Sequence, residues 1–172
     1  MVWISALVFL LQAILPEPKA PGVYYKLNDA EWISLQPAPV DEMKVRGMEM
    51  FVDTGAYTNV KLNVVCRGAK ASLRISIPKP TFFVRDTGSA KDVILIRLIQ
   101  KKDKRTYKMS YDAATIQNKG GFDKGNIHKT VISVNPDNSF LLTPEEDLKP
   151  GEYLLVFGNA TAGFDFGIDP LK

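Results

Sequence analysis

The chain has 172 residues, 45% of them hydrophobic and 24% charged, a balance that excludes a disordered or collagen-like protein. A net charge of +3, with no concentrated basic face, excludes nucleic acid as an expected partner. One cysteine and one histidine exclude an internal disulfide and a zinc site of ordinary composition.

The first element is an apolar run over residues 2–15, in which only Ser5 and Gln12 are polar. It is too short to cross a bilayer comfortably and suits the core of a signal peptide. The helix-breaking stretch Pro16-Glu17-Pro18-Lys19-Ala20-Pro21 follows. Residues 1–20 therefore read as a signal peptide and residues 21–172 as one domain. The cleavage site stays open, because Ala20 precedes Pro21 and no Lys or Arg lies ahead of the run. An uncleaved anchor and a buried first strand are the other readings of this segment. Cys66 lies too far from it to be a lipidated N-terminal cysteine. The expected location is extracytoplasmic, periplasmic or secreted, in a bacterial host, with membrane contact only through the signal. Asn159-Ala160-Thr161 is a glycosylation triplet that has no meaning in such a host.

The dominant period of the remaining chain is two. Val60, Leu62, Val64 and Cys66 alternate with Lys61, Asn63, Val65 and Arg67; Leu73, Ile75 and Ile77 with Ser72, Arg74 and Ser76. Tyr107, Met109 and Tyr111 alternate with Thr106, Lys108 and Ser110; Phe164, Phe166 and Ile168 with Asp165, Gly167 and Asp169. This is the pattern of half-buried strands. Residues 93–99 and 153–157 are nearly all apolar and predict central strands covered on both sides. Turn chemistry separates the runs at Gly68, at Pro78-Lys79-Pro80, at Asp86-Thr87-Gly88-Ser89, at residues 101–104 and at Asn135-Pro136-Asp137-Asn138. The basic cluster from Lys101 to Arg105 reads as a solvated hairpin turn. One short helical turn is expected at residues 144–148, with Thr143 as its cap. About ten short strands predict a single antiparallel β-sandwich of Greek-key, immunoglobulin-like type. Leu148-Lys149-Pro150-Gly151-Glu152-Tyr153 has the form of a tyrosine corner, in which the phenol bonds back to nearby backbone and pins a crossover between sheets.

Several strings recur in order along the chain: Gly22-Val23-Tyr24-Tyr25 with Trp32, Arg67-Gly68 through Pro78, Pro80 and Phe82-Phe83, and Leu95 to Leu98 with the basic hairpin. Pro150-Gly151-Glu152-Tyr153 and Phe164-Asp165-Phe166-Gly167 close the set. In these the chain resembles an uncharacterised family of secreted bacterial β-rich proteins. The resemblance implies a secreted β-rich domain and carries no activity with it.

Four constellations bear on chemistry. Phe51-Val52-Asp53-Thr54-Gly55-Ala56 resembles the active-site loop of retroviral-type aspartic proteases, where two aspartates share a proton. One copy per chain would require a homodimer. Asp-Thr-Gly is also ordinary turn chemistry, and the distance from Asp53 to the apolar strand before Gly158 is long for such enzymes. Asp165 beside Phe164, Phe166 and Gly167 has the letters of a kinase magnesium motif, but no kinase phosphate loop or catalytic loop accompanies it; Asp165 and Asp169 read as outward positions of the last strand. The glycine-rich segment around Gly120, Gly121 and Phe122 lacks the Lys-Ser/Thr of a phosphate loop and reads as a surface loop able to carry recognition. His128 reads as a strand residue. Trp32, Tyr24, Tyr25, Tyr57 and Tyr107 are candidates for an aromatic platform and, more simply, for core.

The expectation is a non-enzymatic binding or structural component of the cell envelope, acting through strand edges or loops, without cofactor or metal. Its partner is expected to be another envelope or extracellular protein, or a second copy of itself. A homodimeric aspartic protease using Asp53 and a carbohydrate- or small-ligand-binding module are the alternatives. Gly120, Gly121, Phe122 and Trp32 are the candidate binding residues.

Overall fold

A computed structural model describes residues 16–28, 31–46, 49–51, 56–58, 60–111, 121–158 and 163–170. The apolar run at residues 2–15 lies outside the described residues. In chain order the strands are β1 (Gly22–Asn28), β2 (Glu31–Ser34), β3 (Val40–Arg46), β4 (Glu49–Phe51), β5 (Ala56–Thr58) and β6 (Val60–Arg67). There follow β7 (Arg74–Ile75), β8 (Phe82–Arg85), β9 (Val93–Arg97), β10 (Ile99–Gln100), β11 (Lys104–Tyr111) and β12 (Gly121–Phe122). The last are β13 (Ile127–His128), β14 (Thr130–Val134), β15 (Phe140–Pro144), β16 (Gly151–Phe157) and β17 (Gly163–Ile168).

The fold is all-β and sandwich-like. An outer sheet has the order β14-β15-β8-β1-β2 and a central sheet the order β13-β9-β16-β17-β7. A third sheet has the order β10-β11-β6-β3, with β12 also on β11, and β4 and β5 form a separate hairpin. All these pairings are antiparallel except β17 with β7, which is parallel. The strand orders β14-β15-β8 and β9-β16-β17 are those of an immunoglobulin-type Greek key.

Two apolar clusters hold the layers together. Between the outer and central sheets lie Val23, Tyr25, Phe82, Val84, Leu95, Phe140, Leu142, Tyr153, Leu155, Phe166 and Ile168. Between the central and third sheets lie Val64, Cys66, Ile96, Leu98, Tyr107, Met109, Leu154 and Val156. Strands β9 and β16 therefore bury both faces, which is why their sequences are continuous apolar runs. The alternating strands β6, β11 and β17 each give their apolar residues to one cluster.

The tyrosine corner forms as the sequence predicts. The Tyr153 hydroxyl donates to the Lys149 carbonyl at 2.6 Å, and its ring stacks on Phe166 with centroids 5.6 Å apart. The helical turn expected at residues 144–148 does not form. Pro144 instead ends β15 opposite Thr130, at a position where the ladder needs no N–H from it, and the Glu145 N–H bonds the Lys129 carbonyl.

Candidate binding cleft

A concavity of about 460 Å³ lies on the third sheet. Strand β11 is paired along one edge by β10 at Thr106 and Arg105, and by β12 at Met109 and Ser110. The gap between these two short partners opens the cleft. Lys108 pairs across to Asn63, and Ser110 to Lys61, on β6. By strand alternation all four side chains project from the face opposite Leu62 and Met109. Lys101 enters from the end of β10; Leu62, Met109 and Phe122 also border the cleft, but their side chains turn to the other face of the sheet, into the second apolar cluster.

The charge of the cleft is unbalanced. Lys61, Lys101 and Lys108 line it against one carboxylate, Asp123. That carboxylate is already engaged, accepting from the Gly125 N–H and the Asn126 amide, each at 3.2 Å. Among the described residues, no carboxylate pairs with the three ammonium groups. Such a site can attract an anion electrostatically.

Behind the cleft, the third sheet is tied to the central sheet by buried charge. Arg105 is 1% exposed. Its Nη1 pairs with Asp165 and lies 3.8 Å from Glu152 Oε2. Its Nε and Nη2 donate to the Gly68 and Arg67 carbonyls at 3.0 and 2.8 Å. Glu152 in turn accepts from the Ala71 N–H at 2.7 Å and from Arg74 at 2.5 Å. Arg74 also bonds Asp169 at 2.6 Å. A Cβ at Gly167 would overlap the Arg74 guanidinium, so the glycine lets Arg74 lie across β17. This network corrects two sequence expectations. Arg105 is not part of the solvated turn, and Asp165 is 7% exposed rather than solvated. Asp165 points out of the first sandwich, formed by the outer and central sheets, but the third sheet covers that face, and Arg105 reaches Asp165 from β11 of that third sheet. The signal was present for Arg105, which shares the parity of Tyr107 and Met109. It was masked by four charged neighbours.

The candidate residues separate in space. Gly121 and Phe122 line the cleft. Gly120 and Asp53 lie outside the described residues, as does the glycosylation triplet. Trp32 belongs to the far face of the outer sheet, half-buried, with its indole against Phe83 at 5.6 Å. Tyr25 and Tyr107 are each 3% exposed and belong to the core; burial raises both phenol pKa values. Lys61, Lys101 and Lys108 were not singled out as binding residues, because isolated lysines at alternate strand positions look like any solvated face.

His128 is a residue of β13, edge-on to the Tyr153 ring at 5.4 Å. Burial, with Arg97 nearby, holds its pKa below the usual histidine value. Burial pushes the Cys66 thiol up to about 11, which leaves it a core residue rather than a nucleophile at neutral pH. Among the described residues, no group of three or more His, Cys, Asp or Glu side chains is placed to hold a metal ion. No described helix is long and apolar enough to cross a membrane.

Comparison with protein-family models, with curated proteins and with solved structures finds no match for this chain. Its own geometry is what bears on its function.

Proposed function

We propose that the protein is an extracytoplasmic binding component without enzymatic activity, and that its cleft on β6, β11 and β12 takes a small anionic ligand. The observation that carries this reading is the set of three lysines, unpaired by any described carboxylate, that line one cleft. A volume of about 460 Å³ suits a ligand of ordinary small-molecule size. The apolar run at residues 2–15 supports export, and the sandwich behind the cleft supplies a rigid frame for a strand edge and its loops.

The test is calorimetric titration with matched aryl and alkyl carboxylates, sulfates and phosphates, beside their neutral counterparts. Anions are expected to bind and neutral analogues to bind at least about tenfold more weakly, a difference of about 1.4 kcal/mol. Lys61→Glu with Lys108→Glu should abolish binding, and added salt should weaken it. A folded protein that ignores every anion, or binds a neutral glycan equally well before and after the double substitution, would overturn the reading. Export is tested separately by fractionating cells that express the full chain.

A further inference from the structure

We infer that strand β14 is a self-pairing edge, through which two copies of the chain join their outer sheets antiparallel about a two-fold axis at Ile132. This does not depend on the cleft, which lies on a different sheet.

The first observation is which edge is unguarded. Sheet edges invite pairing unless charge, proline or shortness blocks them. Edge strand β3 carries Asp41, Glu42, Lys44 and Arg46. Strand β2 has four residues, beginning with Glu31. Strands β7, β10 and β13 have two residues each. Strand β14, Thr130-Val131-Ile132-Ser133-Val134, has neither charge nor proline. Its Val131 and Val134 are 59% and 57% exposed.

The second observation is the direction of its backbone groups. The Glu145 N–H bonds the Lys129 carbonyl at 2.9 Å, and the Asn135 N–H bonds the Ser139 carbonyl at 2.8 Å. Hydrogen-bonded positions alternate along an antiparallel pair. Val131 and Ser133 therefore direct their N–H and C=O to β15. Thr130, Ile132 and Val134 direct theirs to the open edge, where no described residue meets them.

These three positions are self-complementary. With the two-fold axis at Ile132, Ile132 meets the partner's Ile132, and Thr130 meets the partner's Val134. Every outward N–H and C=O of the strand then has a partner, whereas a slip of two residues leaves some unmet. Val131 falls opposite the partner's Ser133 in a close, non-hydrogen-bonded pair, which covers the exposed valine. The uncharged strand brings no like charges together, and Lys129 falls opposite the partner's Asn135 rather than another lysine. The same features that leave the edge open thus fit a second copy in one register.

Sedimentation velocity on the full chain should show a concentration-dependent dimer. Val131→Lys with Ser133→Lys, both at exposed positions, would set ammonium groups opposite each other and should abolish the dimer while the far-ultraviolet circular dichroism of the folded chain stays unchanged. Register is tested by mixing chains that carry Val131→Cys with chains that carry Ser133→Cys. Mild oxidation should link the mixture covalently and leave either variant alone unlinked; Cys66 is fully buried and does not compete. A protein monomeric at every concentration, including one that binds an extended peptide at β14 instead, would overturn the inference. So would a dimer that survives the lysine substitutions, or equal cross-linking of either cysteine variant by itself.

Discussion

The central sheet presents two faces that are held in different ways. Toward the outer sheet it is dry and aromatic: Phe82 and Phe166 lie with centroids 4.8 Å apart, and Tyr153 stacks beside them. Toward the third sheet it has a smaller apolar cluster and, at one end, the buried ions Arg105, Asp165 and Glu152, continued outward by the partly exposed Arg74 and Asp169. The first face is non-directional, and apolar burial sets its strength. The second needs its charges in particular places, because each buried ion must keep its partners to offset desolvation. Layers joined by area tolerate substitutions of similar volume; layers joined by an ion network tolerate few changes of a single member. The cleft belongs to the third sheet, whose attachment to the central sheet combines that apolar cluster with the network.

The contrast predicts losses of similar size by different routes. Phe166→Ala should cost about 3–5 kcal/mol by opening a cavity. Arg105→Met should cost about 3–5 kcal/mol by leaving Asp165 buried beside no cation, while Glu152 keeps only Arg74. Chemical denaturation measures both. Arg105→Met combined with Asp165→Leu should recover part of the loss, since an apolar pair of similar volume can replace a buried ion pair. An Arg105→Met protein as stable as the parent would break the contrast, because the network would then be ornamental.

A smaller effect is expected at the corner that anchors the dry face. Tyr153→Phe removes the bond to the Lys149 carbonyl and should cost about 1 kcal/mol, read from the same denaturation curves. A neutral result would assign the corner's strength to ring stacking alone.

Acid sharpens the comparison further. Asp169 is held below its usual carboxylate value chiefly by its hydrogen bond to Arg74, and Asp137 by its bonds from Ser139. A carboxyl with a depressed folded-state pKa adds stability above its unfolded pKa, and that stability is lost as pH falls through the folded value. The melting temperature should therefore drop below about pH 4, and Asp169→Asn should flatten that limb. His128 acts in the same direction at higher pH. Its folded-state pKa lies below the ordinary 6.5, so stability begins to fall as pH drops through 6.5. His128→Gln should remove that part of the slope.

The smallest effect concerns Cys66, on the side of the second cluster. With its pKa raised to about 11 and no exposed surface, it should resist thiol reagents in the folded protein at pH 8. It should react fully once denatured. Rapid labelling under native conditions would mean that the third sheet opens while the first sandwich stays closed.

The alternation of Leu62, Val64 and Cys66, the two apolar runs, and the corner at Tyr153 are features of neighbouring residues. They made the all-β class and the central strands legible in the sequence. The candidate site was legible only at Gly121 and Phe122, through a glycine-rich segment, because Lys61, Lys101 and Lys108 meet across strands that the sequence does not pair. The charged network was hidden for the same reason: Arg105 and Asp165 are 60 residues apart, and each looks solvated among its neighbours. Period and turn chemistry act over a few residues, so the sequence by itself determined which segments are strands and which side of each is apolar. Whether the other side meets water, a third sheet or an open edge depends on contacts between distant segments, and only the tertiary structure decided that.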